Sequence, residues 1–278
     1  MELYTINTGF FKLDGGAMFG VVPKSIWQKL NPPDENNMCT WAMRCLLIQH
    51  QNHLILIDTG IGNKQSEKFF SFYYLHGNDS LEKSLQKHGF TLSDITDVFL
   101  THLHFDHCGG AIAFNASKQL YYPTFPNATY WSHSKHWQWA IHPNPREKAS
   151  FLKENILPIQ ESGQLKFVDK DPYTLPFEYM TVYGHTEAMI LPIIPYKKQK
   201  LIYLADLIPS AAHIPIPYVM AYDIRPLETL KEKESILQKA LQENWYLFFE
   251  HDPSIELCNV HLTDKGIRMK ESLKLQDL

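Results

Sequence analysis

The stretch Val98-Phe99-Leu100-Thr101-His102-Leu103-His104-Phe105-Asp106-His107-Cys108-Gly109-Gly110 places three histidines and an aspartate within six positions, directly after an apolar run. That density of nitrogen and oxygen donors points to a metal site. His102 and His104 are two apart, so at an extended strand end their imidazoles leave the same face. Asp106 and His107 fall in the following turn and can aim elsewhere, so one segment can serve two neighbouring ions. Neutral imidazole and carboxylate suit zinc, with iron or manganese as alternatives, and this donor set holds no thiolate of the kind that closes a structural zinc site.

Elsewhere along the chain, polar residues repeatedly follow short apolar runs. Thr40 to Gln49 and His53 to Asp58 read as two strands around the turn His50-Gln51-Asn52, the second ending at Asp58-Thr59-Gly60. One or two helices between Ser66 and Lys87, broken near Gly77-Asn78-Asp79, lead to the strand 97–100. Residues 145–160 read as helical. Strands at 165–168 and 179–183 precede Gly184-His185-Thr186, and a hairpin of 188–194 with 201–204 ends at Ala205-Asp206. An amphipathic helix over 227–244, with Leu230, Ile236, Leu237 and Leu241 on its apolar side, is followed by a strand ending at Glu250-His251-Asp252. If these strands lie side by side, Asp58, the 102–107 cluster, His185, Asp206 and His251 meet at one rim.

Composition sets the frame for that chemistry. A chain of 278 residues with 44% hydrophobic residues can bury a sizeable core, and one domain of two packed halves is the expected organisation over 1–278. The net charge of −4 is spread without a long like-charge run, which disfavours a grip on nucleic acid or on a membrane surface. The start Met1-Glu2-Leu3-Tyr4 lacks a basic leader and apolar core, and Cys39, Cys45, Cys108 and Cys258 form no Cys-x-x-Cys pair. Both features fit a soluble cytoplasmic protein with reduced thiols. Aromatic residues concentrate over about 114–142, a segment read as a lid, a pocket wall or a homodimer contact.

The ordered set Asp58-Thr59-Gly60, His102-Leu103-His104-Phe105-Asp106-His107, Gly184-His185-Thr186, Asp206 and His251 resembles the metallo-β-lactamase superfamily. The resemblance covers positions 58–251 and implies an α/β (α+β) fold: a four-layer αββα sandwich of two mixed sheets with helices on the outer faces. It assigns His102, His104 and His185 to one divalent ion, Asp106, His107 and His251 to a second, and Asp206 to both as a bridge. In such a site the two metals share a water whose pKa falls toward about 7, giving a bridging hydroxide as nucleophile, while Asp106 orients it and relays a proton. Asp58 is expected to hold ligand geometry from behind.

The layout is most similar to the branch with N-acyl homoserine lactonases and methyl parathion hydrolase, so lactone opening, the chemistry of quorum quenching, is the first expectation for the small-molecule substrate. Phosphotriester and thioester hydrolysis are alternatives within the hydrolases. An iron-dependent sulfur dioxygenase and a non-catalytic metal-binding protein are the readings from other classes. Two departures bear on the choice. Glu187-Ala188 stands where many relatives have Pro-Gly, and Leu207-Ile208-Pro209 follows Asp206 where lactonase-type relatives often have a tyrosine. His213, in the loop after Asp206, is a candidate catalytic contact, and Met18, Phe19 and Trp27 are candidates for an apolar substrate pocket. Cys108 reads as a packing residue beneath the loop, and His133, His136 and His142 as solvated or stacked.

Overall fold

Strands whose side chains are apolar without alternation must be covered on both faces, and the inner strands are of this kind. The computed structural model describes residues 1–278. It divides into two compact units, the first made of 1–9, 43–72 and 77–176, the second of 10–42, 73–76 and 177–278. The expected class, α/β with two mixed sheets, is the one found.

In chain order the first strands are β1 (Glu2–Asp14), β2 (Met38–His50), β3 (His53–Ile57), β4 (Asp97–Phe99), β5 (Ile112–Asn115), β6 (Leu120–Pro123), β7 (Thr129–Ser132) and β8 (Leu165–Phe167). One six-stranded sheet runs β1-β2-β3-β4-β7-β8, and β5-β6 form a separate ribbon. β3, β4, β7 and β8 pair in parallel, while β2 and β3 close the antiparallel hairpin expected around Gln51-Asn52. α3 (Glu67–Ser71) and α4 (Leu81–Lys87) flank the break expected near Gly77, after α1 (Gly15–Phe19) and α2 (Lys24–Trp27) earlier in the chain. The short helix α5 (Phe105–Cys108) carries the second part of the histidine cluster, and α6 (Ser134–Ile141) and α7 (Lys153–Glu161) complete the first unit. Its core joins Ile6, Leu47, Leu56, Val98, Leu100, Leu103, Tyr130 and Trp137.

Two expectations for this unit change. Residues 145–150 turn instead of forming a helix, because Asn144 Oδ1 accepts the N–H groups of Arg146 at 2.9 Å and Glu147 at 3.2 Å, a local alternative to the helical ladder. The aromatic segment is largely core: Phe125, Tyr130, Trp131 and Trp137 are buried, and Tyr121 and Tyr122 on the β5–β6 ribbon are the exposed rings.

The second unit holds β9 (Glu178–Val182), β10 (Met189–Tyr196), β11 (Gln199–Tyr203), β12 (Tyr246–Phe248), β13 (Leu257–Thr263) and β14 (Gly266–Leu273), in the order β14-β13-β12-β11-β10-β9. β11 and β12 are parallel, and α8 (Pro226–Glu243) supplies the crossover that parallel neighbours need. Pro226 starts α8 and Asn244, at φ 54°, ends it in the left-handed conformation. Its buried face is Thr229, Lys233, Ile236, Leu237 and Ala240, so the first turns bury polar groups where an apolar stripe was expected; Leu230 and Leu241 are only half-buried. No helix is long and apolar enough to cross a membrane. All four cysteines are free and buried.

Candidate metal centre

In the first unit, β3 and β4 run parallel and end side by side, which brings Asp58 to the loop after β4. Asp58 sits at φ 56°, fully buried, and uses both oxygens: Oδ1 accepts the Thr101 N–H at 2.8 Å and Oδ2 accepts the Thr101 hydroxyl at 2.6 Å. Oδ2 also lies 3.2 Å from His107 Nδ1. The next residue, Thr59, donates its N–H (2.8 Å) and hydroxyl (2.9 Å) to the His107 carbonyl, and Gly110 N–H donates to the Gly60 carbonyl at 2.8 Å. The two loops dock backbone to backbone. A Cβ on Gly109 would lie 2.6 Å from the Ile61 carbonyl carbon, and one on Gly110 would strike the Thr59 carbonyl, so neither position tolerates a side chain. Lys64 donates to the Gly109 carbonyl, closing the same seam.

Within 101–104, before α5, the alternation expected of extended chain is present. Leu103 is buried in the core and its N–H donates to His136 Nε2 at 2.8 Å, so His102 and His104 face the other way. Thr101 gives its proton to Asp58, so its oxygen accepts from His102 Nδ1 at 3.1 Å, which leaves the Nε2 lone pair of His102 directed at His104 Nδ1, 3.1 Å away. His107 Nδ1 is likewise committed to Asp58, and its Nε2 lies 3.7 Å from Asp106 Oδ2. Glu147, buried beside Trp139 and Asn144, stands 3.8 Å from His104 Nε2.

The second unit holds a cluster of its own. Asp206 follows β11 and divides its carboxylate: Oδ2 lies 3.1 Å from His185 Nε2 and Oδ1 lies 3.0 Å from His251 Nε2. The other nitrogen of each ring is held from behind, His185 Nδ1 by Asp223 Oδ1 at 2.9 Å and His251 Nδ1 by the Ala42 carbonyl at 2.7 Å. Asp223 is itself fixed by the Thr229 hydroxyl at 2.8 Å. Burial works against charge on His185, but Asp206 and Asp223 outweigh it and push its pKa up to about 10, so this pocket calls for a positive charge at the imidazole. Divalent cations meet that need. The donors fit: imidazole nitrogens whose opposite nitrogens are fixed, together with carboxylates and no thiolate.

The remaining candidates of the second unit lie in a packed stack. Phe19 stacks on Trp27 at 5.3 Å and on His213 at 4.6 Å, and Met18, Phe19 and Trp27 are all buried. His213 Nε2 donates to the Met18 carbonyl at 2.9 Å and Nδ1 accepts from Ser210 Oγ at 2.7 Å. Burial pushes this imidazole down to about 3. With both nitrogens engaged, His213 braces the loop after Asp206, which accounts for its position without proton transfer. Cys108 donates to the Leu103 carbonyl at 3.3 Å, and burial raises its thiol to about 12. Asp223 beside His185, His136 on the Leu103 peptide, Glu147 near His104 and Glu232 on the 183–184 peptides each lie 33 residues or more along the chain from these partners, so no local sequence signal marks them.

Residues 44–251 match the family described as the metallo-beta-lactamase superfamily. The chain belongs to that superfamily. As a member it is a metal-dependent hydrolase. It is 23% identical to an N-acyl homoserine lactonase of Bacillus cereus over 265 residues, 90% of this chain and 93% of the relative. Its fold is shared with a probable metal-dependent hydrolase from Staphylococcus aureus (28% identity, TM-score 0.85, 98% of both chains). It is also shared with AidC, a dizinc quorum-quenching lactonase in complex with its product (24% identity, TM-score 0.79, 98% of this chain and 95% of that one).

Proposed function

We propose that this hydrolase uses two divalent ions, zinc first, to open small ester-like substrates, lactones before others. The observation that carries the reading is the divided carboxylate of Asp206, which offers one oxygen toward each of two imidazoles whose far nitrogens are already held. His102, His104 and His185 would hold one ion, Asp106, His107 and His251 the other, and Asp206 would serve both. When bound, such a pair supplies an activated water nucleophile and a Lewis acid for the scissile oxygen.

The protein's own groups do the rest. Asp106, in the first turn of α5 with a carboxylate oxygen near His107, would take a proton from the nucleophile and hand it to the leaving oxygen. Asp58 holds the His107 ring and the Thr101 peptide in one geometry, which fixes the residue next to Asp106. The lactonase relatives support the lactone preference. The Leu207-Ile208-Pro209 sequence after Asp206 supports keeping aryl phosphotriesters as the second substrate class, since the tyrosine common in lactonase-type relatives is missing.

Purified protein assayed for metal content and for rates on acyl homoserine lactones, aryl esters, thioesters and aryl phosphotriesters tests this directly. About two equivalents of metal with fastest turnover of lactones is the expected result. Two bound metals without hydrolysis of any of the four classes would sink the substrate assignment, and oxygen uptake with bound iron would move the protein to oxidative chemistry.

A further inference from the structure

The first turns of α8 bury polar side chains, and packing alone does not call for them. Arg225, Thr229, Glu232 and Lys233 recur at helical spacing, so they share one face, and each engages a loop beneath it. Arg225 donates from Nη1 to the Tyr183 carbonyl at 2.8 Å and from Nη2 to Glu187 Oε2 at 2.7 Å, and its own N–H donates to the Gly184 carbonyl at 2.9 Å. Lys233, fully buried, donates to the carbonyls of Pro215 (3.1 Å), Ile216 (3.3 Å) and Tyr218 (2.6 Å). Glu232 accepts two consecutive main-chain donors, Tyr183 N–H on Oε1 at 2.6 Å and Gly184 N–H on Oε2 at 3.0 Å.

These two peptides immediately precede His185. The turn after His185 lacks the stiffening of a Pro-Gly pair: Thr186-Glu187-Ala188 makes it with Ala188 at φ 50°, a strained choice for a residue with a Cβ. Gly184 lies so close to α8 that an added Cβ would be 2.5 Å from the Thr229 nitrogen. A loop without its own rigid turn needs an outside anchor to aim the imidazole. A carboxylate bridging successive N–H groups is a strong, directional one.

We propose that Glu232 is a positioning residue for His185: by gripping the 183–184 peptides it sets the ring so that Nδ1 meets Asp223 while Nε2 meets Asp206. The proposal rests on the reading of His185 as a metal ligand. Glu232 touches neither substrate nor metal, and acts through the backbone alone.

The test uses the full chain, stripped and reloaded with Co²⁺, whose visible bands report ligand geometry, with affinity measured by competition against a chromophoric chelator. Glu232→Gln keeps the shape and one acceptor oxygen but turns an amide N–H₂ against a peptide N–H; Glu232→Ala removes the grip. Glu228→Gln, at a surface acid paired with Lys231 on the same helix, is the control. One of the two Co²⁺ equivalents is expected to bind about 10–100-fold more weakly in Glu232→Ala, with its bands altered and Glu232→Gln intermediate, while the control matches wild type. Wild-type affinity and bands in both Glu232 variants overturn the proposal, even where melting temperature falls, because that result describes a structural contact only. If Glu232→Ala does not fold, the isosteric Glu232→Gln decides. Wild-type protein that takes up no Co²⁺ overturns the ligand reading of His185 itself, and the proposal with it.

Discussion

Asp206 and Asp106 show how one residue type takes different work from its surroundings. Asp206 has an imidazole at each oxygen, an arrangement for holding charge in place, whereas Asp106 stands on a short helix with one oxygen 3.7 Å from His107. Asp106→Asn keeps the shape and removes the base, so kcat is expected to fall by about 10²–10⁴-fold in steady-state assays with the fold intact by circular dichroism. A loss of less than tenfold would remove Asp106 from proton transfer. His213 yields a pH prediction. Its folded pKa is lowered to about 3 from the ordinary 6.5, so the unfolded chain binds a proton the native state refuses, and stability falls as pH drops below about 6.5. Between pH 7 and 5 this group removes at most about 2 kcal/mol. Denaturant melts of wild type and His213→Gln should therefore draw closer at pH 5; parallel pH dependence in the two proteins contradicts the neutral, packed imidazole.

Elements place these residues by ending where they do. β3 ends at Ile57, directly before Asp58 at φ 56°, and β11 ends at Tyr203, two residues before Ala205 at φ 42°, so Asp58 and Asp206 emerge just past strand ends. The sequence showed this pattern because strand runs and their polar successors are local. It did not show α8's role. Amphipathicity marks which face of a helix is buried but not that Thr229 and Lys233 are buried to hold loops, since their partners lie in separate segments. Gly184 is the tightest point of that arrangement. Gly184→Ala forces α8 and the His185 loop apart and is expected to cost about 1–3 kcal/mol of unfolding free energy, read from equilibrium denaturation. An unchanged midpoint would mean the loop yields freely and that α8 does not brace it.

Across the whole molecule, the chain passes between the compact units at 9/10, 42/43, 72/73, 76/77 and 176/177, and β1 and β2 contribute residues to both. We propose that they unfold as one domain: calorimetry should give one transition with equal van't Hoff and calorimetric enthalpies, and two resolved peaks would refute it. Metal should stabilise the native state by mass action, so a chelator is expected to lower the melting temperature and added zinc to restore it, by about 1.4 kcal/mol per tenfold excess over Kd. A melting temperature indifferent to chelation would argue against metal bound in the native state. The fold class was legible in the chain alone, which also offered the candidate donors in their order, because hydrophobic periodicity and a dense run of histidines and acids are local properties that a string of residues carries in full. Which atoms stand behind those candidate donors depended on the three-dimensional packing. Asp223 behind His185, His136 on the Leu103 peptide, Glu232 on the 183–184 peptides and the sealed His213 stack all depend on contacts between segments that chain order does not bring together.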